Sequence, residues 1–248
     1  MQVTIILAAV TLLVFVALLL VFLSRVRAGK SPKLRRIAAF ERLHRFNSRA
    51  IESGRPLHLS LGTGSTIDAS TADSLAGLSV LEHLAERAAV TGVQPTVSMS
   101  DPTVMLFAQN TLRAAQSADP QQAADAYQHV RWIAPQPAAY AAGVMSLFSV
   151  DRVQSNVMVG KFGDEYLLMG EAAAQQGITQ IGGASDPNTL PFIYTTAQET
   201  LLGEEIYAAG AYLQKRPAHI GSLLAQDTMR WLIFLLMLGG IILATLRG

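Results

Sequence analysis

Residues 3–23, VTIILAAVTLLVFVALLLVFL, form an apolar run without a charged side chain. A helix rises about 1.5 Å per residue, so about 20 apolar residues cross a hydrocarbon core of ~30 Å. The run therefore predicts a membrane span. A cleaved signal peptide is the competing reading, and three features oppose it. The start MQVT carries no basic residue, the run exceeds an ordinary h-region, and no small-x-small site closes it. Residues 231–246, WLIFLLMLGGIILATL, form a second, shorter apolar run, with Trp231 suited to an interface. Within these bounds neither run holds an ionisable residue, which speaks against a coupled ion pathway. Gly240 and Ala244 make a small-xxx-small pair fit for helix contact inside a bilayer.

Charge gives the expected orientation. Segment 24–49 holds nine Lys or Arg and one acid. The positive-inside rule places it in the cytoplasm, so both termini are expected outside and the intervening chain inside, at a bacterial inner membrane. Arg25, Arg27, Lys30, Lys33, Arg35 and Arg36 are the residues expected against an anionic leaflet. Arg247 beyond the second run is a contrary vote. The expected divisions are a span over 1–23, an amphipathic basic neck over 24–53, an α/β domain over 54–228 and a second span over 229–248. Between residues 50 and 214 there are six Lys or Arg against sixteen Asp or Glu. A head this acidic repels nucleic-acid phosphates. The chain has no Cys, which removes disulfides, thiolate metal sites and thiol nucleophiles.

The head reads as alternating strands and helices. PLHLSL (56–61), PTVSMS (95–100), NVMVG (156–160) and ITQIGG (178–183) have strand character, with helical stretches at 70–90, 101–118 and 166–176 between and after them and a further helix entry in ASDPNTLPFIYTTAQETL (184–201). Helices are also expected from Pro32 to Glu52, near 121–131, near 137–148 and over 204–213. The β-α-β-α order predicts a mostly parallel sheet with helices on both faces. Ser-Asp-Pro recurs at 100–102 and 185–187, and Ala-Gln-x-Thr-Leu at 108–112 and 197–201. These matches suggest a degenerate tandem duplication of one β-α-β-α unit.

In a parallel sheet the segments after the strands gather at one edge, where ligands of open α/β sheets bind. That edge would collect Gly62, Thr63, Gly64, Ser65, Asp101, Lys161, Gly163 and Asp186 as a candidate anion or nucleotide site. The competing reading is structural: Gly suits the turn, and Ser, Thr or Asp caps the following helix. The stretch LSLGTGST lacks the Gly-Lys-Ser/Thr of a phosphate-binding loop, and Ile67 stands where a dinucleotide fingerprint needs its third Gly. Asp-Pro at 101 and 186 reads first as a helix start. Glu165, Glu171, Glu204 and Glu205 could hold a cation or an interface ion pair, or simply face water while Ile206, Ala209 and Leu213 face the core. The five His show no metal pairing, and no metal or cofactor is expected from sequence.

The stretches LHLSLGTGS, LAGLSVLEHLAERAA, GEEIYAAGAYL and AQDTMRWLIF together resemble an uncharacterised family of bacterial membrane-anchored α/β proteins. The resemblance covers most of the chain from residue 55 and implies a membrane protein with one α/β head. It implies nothing about catalysis. Ala- and Gly-rich stretches such as AAYAAGVMSLF (138–148) favour a scaffold whose heads self-associate or bind another membrane protein. A ligand-binding or catalytic head at the Gly-loop edge is the alternative, and an oligomeric pore a third reading.

Overall fold

In the computed structural model, which describes residues 2–30, 33–118 and 120–247, all four expected strand segments form and two more join them. The strands are β1 (Leu57–Gly62), β2 (Thr96–Met99), β3 (Val130–Trp132), β4 (Ser155–Lys161), β5 (Thr179–Ala184) and β6 (Glu199–Leu202). They make one wholly parallel sheet in the order β3-β2-β1-β4-β5-β6. This is the doubly wound arrangement, in which the chain starts at the centre, winds to one edge, returns and winds to the other.

The helices are α1 (Gln2–Arg27), α2 (Ala38–Ser53), α3 (Thr71–Thr91), α4 (Pro102–Ala115), α5 (Pro120–Asp125), α6 (Pro137–Val150), α7 (Glu165–Gln175), α8 (Leu190–Thr196) and α9 (Pro217–Arg247). The central strands β1 and β4 are covered on both faces, so even the polar residues that alternate with the leucines of β1 and open β4 are buried. Leu61 faces α3, where Gly77 brings the helix backbone against β4. His58 and Ser60 point to the opposite face, toward Phe148 and Tyr140 of α6. There Tyr140, Val144 and Phe148 join Met158, Phe162, Tyr166 and Met169 in a fully buried cluster.

Several sequence expectations are corrected. The helix expected over 32–52 is shorter: α1 ends at Arg27 with Gly29 at φ +81°, and Ile37 is extended before α2 begins. Pro32 lies outside the described residues. The helix expected near 121–131 stops early, because Val130, Arg131 and Trp132 pair with β2 as an edge strand. The second Ala-Gln-x-Thr-Leu is not helical: Ala197 is extended and Glu199–Leu202 forms β6, whereas the first copy lies within α4. The Ser-Asp-Pro match does survive as topology, since one copy follows β2 and the other β5. The stretch 204–213 is a 3₁₀ turn at Gly203–Ala208 followed by a π turn at Gly210–Gln214. Ile206, Ala209 and Leu213 are buried as expected, while Glu204 is exposed.

The chain divides into two compact units, residues 36–209 and a second unit of residues 1–35 with 210–248. In the second unit α1 and α9 run antiparallel, and Gly221 lets α9 approach the backbone of Leu23. Val26, Ala211 and Ile220 form its small core. Two helices are long and apolar enough to cross a membrane, over Thr4–Arg27 and Pro217–Leu246. The second helix therefore starts well before Trp231, with Asp227 and Arg230 preceding the apolar run 231–246, which itself holds no ionisable residue. Among the described residues, none from another element lies against Gly240.

Candidate functional site

The crossover point of the sheet lies between β1 and β4, whose chains leave in opposite directions. Both strands end in glycine-permitted contacts. Gly62 has φ +78°, and a Cβ there would stand 2.1 Å from the Lys161 carbonyl oxygen. A Cβ at Gly160 would stand 2.2 Å from the Leu61 carbonyl oxygen. The Thr63 N–H then donates to the Lys161 carbonyl at 2.8 Å, holding the two strand ends together.

Past this junction the loop 63–70 folds on its own side chains. Asp68 accepts the Ser70 N–H at 2.7 Å and its hydroxyl at 2.5 Å, and these bonds hold its carboxyl below the usual range. The Ser70 Oγ accepts the Ser65 N–H at 2.8 Å. Ser74 donates to the Ser65 carbonyl at 3.0 Å. Gly64 permits this crossing, since its Cβ would meet Ser74 Oγ at 2.7 Å and Lys161 Cβ at 2.9 Å. Ser65 is buried beneath the loop.

On the β4 side, the buried Glu165 accepts the Gly163 N–H at 2.9 Å and the Thr63 hydroxyl at 3.2 Å. Lys161 Nζ donates to Asp186 at 2.6 Å, which lowers the Asp186 carboxyl. Asp101 caps α4 through the Thr103 and Val104 N–H groups. Burial opposes its ionisation, but the bonds from Thr103 and Val104 prevail and its pKa is lowered. Asp73, buried in the first turn of α3, accepts the Tyr207 hydroxyl at 2.6 Å, and burial followed by this bond raises the tyrosine pKa.

These groups surround a cavity of about 410 Å³ lined by Thr63, Asp68, Ala69, Ser70, Asp73 and Lys161. The structure thus brings Thr63 and Lys161 of the expected edge together. Gly62, Gly64 and Ser65 build the wall, Gly163 is occupied by Glu165, and Asp101 serves α4. The chemistry differs from a phosphate cradle, because the Gly163 N–H meets a carboxylate and the single ammonium meets Asp186. Hydroxyls and carboxyls dominate, a donor set for hydroxyl-rich or cationic ligands. Among the described residues no group of three or more His, Cys, Asp or Glu is placed to hold a metal ion.

Sequence reasoning missed a second polar assembly directly below this edge. Gln180 Nε2 donates to the Gly170 and Thr196 carbonyls, so its Oε1 must be the acceptor for Asn156 Nδ2 at 3.2 Å. Asn156 Oδ1 then accepts from His58 Nδ1 at 2.7 Å, and His58 Nε2 accepts from Ser98 Oγ at 2.9 Å. Tyr140 must donate to Ser98 at 3.0 Å and accept from Ser60 at 2.6 Å. All six side chains are fully buried. Burial pushes His58 down to about 4 and Tyr140 up to about 12. The one signal in the sequence is collective: His58, Ser60, Ser98, Asn156 and Gln180 are polar residues on four strands that the parallel order makes neighbours.

A smaller cavity between α2 and α3 is lined by His44 and His83, whose ring centroids are 5.0 Å apart. Burial first, then His44 and Arg87, hold His83 down to about 4.

The chain belongs to the family described as Domain of unknown function (DUF6754). Its profile matches residues 1–248. No curated protein and no solved structure matches the chain. Family membership therefore agrees with the resemblance to uncharacterised proteins and leaves the chemistry to the site itself.

Proposed function

We propose that this protein is a membrane-anchored α/β head that binds a small hydroxyl-rich or cationic ligand at the β1/β4 crossover. The strand order carries the reading, because doubly wound sheets bind ligands in the crevice where the winding reverses. The cavity lies there, lined by Thr63, Asp68, Ser70, Asp73 and Lys161. The two apolar helices anchor the chain in a bacterial inner membrane. The exposed basic residues Arg25, Arg27, Lys30, Lys33 and Arg35 favour an anionic cytoplasmic leaflet. Arg36 is shared with Glu41 at 2.8 Å. The head then lies in the cytoplasm and both termini lie outside.

Full-length protein in detergent should be stabilised by a sugar, polyol or polyamine, and Asp68→Asn or Lys161→Met should weaken that response. The gain follows mass action, about 2.7 kcal/mol at a hundredfold excess over Kd. A response to nucleotides alone would return the site to the anion reading, and no response to any class removes the ligand reading. Protease added to sealed vesicles of each orientation tests the topology.

A scaffold reading rests on a different observation. Leu106, Phe107, Tyr127 and Trp132 are exposed on α4, the following 3₁₀ turn and the edge strand β3. An open edge strand beside aromatic surface is suited to pairing with a partner or a second head. Trp132→Lys should then reduce the mass of the detergent-extracted particle.

A further inference from the structure

Helices α2 and α3 leave a cavity of about 300 Å³ between them. His44, Ser48 and Ile51 line it from α2, and His83, Arg87 and Val90 line it from α3. Each set is spaced i, i+4, i+7, so one stripe of each helix faces the space. Arg87 stands about 21 Å along α3 from Asp73, which separates this cavity from the one at the β1/β4 crossover.

Two of the lining side chains have polar capacity that the fold does not use. His83 is 6% exposed, and among the described residues neither of its ring nitrogens has a hydrogen-bond partner. A buried polar group left in that state is costly, and the cavity is the side from which a partner can reach it. Arg87 donates to His44 Nδ1 at 3.5 Å, a long contact that occupies one of its five N–H groups. Its guanidinium makes no ion pair among the described residues. Burial holds His83 down to about 4, so near neutral pH its ring offers an N–H donor and adds no second charge. The remaining wall is apolar. Leu43 and Leu84 are buried behind it, whereas Ile51 and Val90 are exposed at its mouth.

Two neighbouring imidazoles invite comparison with a metal site. A guanidinium standing against one of them opposes a cation, and among the described residues no third His, Cys, Asp or Glu completes a ligand set. The same fixed charge attracts an anion.

We propose that the α2–α3 cavity binds a small organic carboxylate with a short apolar tail, its carboxylate on Arg87 and the His83 N–H, its tail against Leu43, Leu84, Ile51 and Val90. The planar fork of a guanidinium matches the two oxygens of a carboxylate. The volume lies at the small end of ligand cavities, which limits the tail to a few carbons. Each methylene buried there adds about fourfold in affinity. A compact anion without a tail satisfies the charge and leaves the apolar wall in water. The inference is independent of the crossover ligand and of the membrane reading.

Calorimetric titration of the full-length protein in a non-ionic detergent, with hexanoate, acetate and inorganic phosphate as probes, tests the site. Hexanoate should bind saturably, one per chain, and acetate and phosphate at least tenfold more weakly. Arg87 is exposed, so Arg87→Met should keep the wild-type thermal midpoint while weakening hexanoate at least tenfold. His83→Phe keeps a ring, removes both nitrogens and should weaken hexanoate at least threefold. The absence of saturable binding overturns the proposal, as does phosphate binding as tightly as hexanoate. An Arg87→Met titration identical to wild type overturns it too, since that is the signature of hexanoate entering micelles.

Discussion

The same tripeptide, Ser-Asp-Pro, follows β2 in one half of the sheet and β5 in the other, and the two copies do different work. Asp101 receives two backbone N–H groups and opens the fourteen-residue α4. Asp186 receives the Asn188 N–H and the Lys161 ammonium, and α8 starts only at Leu190, with seven residues. Position in the fold is shared, whereas the side chain's partner is not. A local match therefore reports topology, and its energetics depend on what the opposite half supplies.

The largest effects should appear where the halves meet. Gly62→Ala and Gly160→Ala each drive a Cβ into a carbonyl of the other central strand. Each should cost at least about 3 kcal/mol or prevent folding, read as a loss of thermal midpoint in the detergent-solubilised full chain. Wild-type stability in either variant would show that the junction yields, and that the halves are less tightly joined than their spacing requires.

The buried chain through His58 offers the next test, because it links Ser60 and Ser98 of one half to Asn156 and Gln180 of the other. The folded His58 titrates near 4 against an ordinary 6.5. The unfolded chain therefore takes up the proton first as pH falls. The stabilisation is complete above about 6.5 and is lost as pH falls through about 4, amounting to roughly 3 kcal/mol. His83 is held down similarly, so the quantity to measure is the difference in slope between wild type and His58→Gln. Identical slopes would mean that His58 is already protonated in the folded state.

The sequence showed the central strands because apolar runs broken by Gly and Asp-Pro carry their own boundaries. It hid β3 and β6, which are short edge strands recognisable only by their neighbours. Val130–Trp132 follows a 3₁₀ turn, and Glu199–Leu202 repeats a pattern that is helical at 108–112. The glycine edge was legible for the same reason as the strands. Its ligand chemistry was not, since the partners of Lys161 and Gly163 lie 25 and two residues away. Nothing in the sequence around Thr63 points to Glu165, which fills the position an anion would need. The buried chain was hidden because each polar residue, read alone, resembles an ordinary strand residue.

The smallest effects separate the two Ser-Asp-Pro sites themselves. Asp101→Ala removes a cap that accepts two backbone donors and should cost about 1–2 kcal/mol. Asp186→Ala removes a partly exposed ion pair and one turn bond, and should cost less than about 1 kcal/mol. Because the Asp101 and Asp186 carboxyls are both held below their ordinary values, their contributions are present above the unfolded pKa and disappear as pH falls through the lowered folded values. Salt separates them further. Screening weakens the exposed Lys161–Asp186 pair, whereas backbone bonds to Asp101 are short-ranged. At high salt the Asp186→Ala deficit should shrink toward zero while the Asp101→Ala deficit persists. Equal deficits at both positions, with equal salt dependence, would show that the two halves use their tripeptides alike despite the different partners seen in the structure.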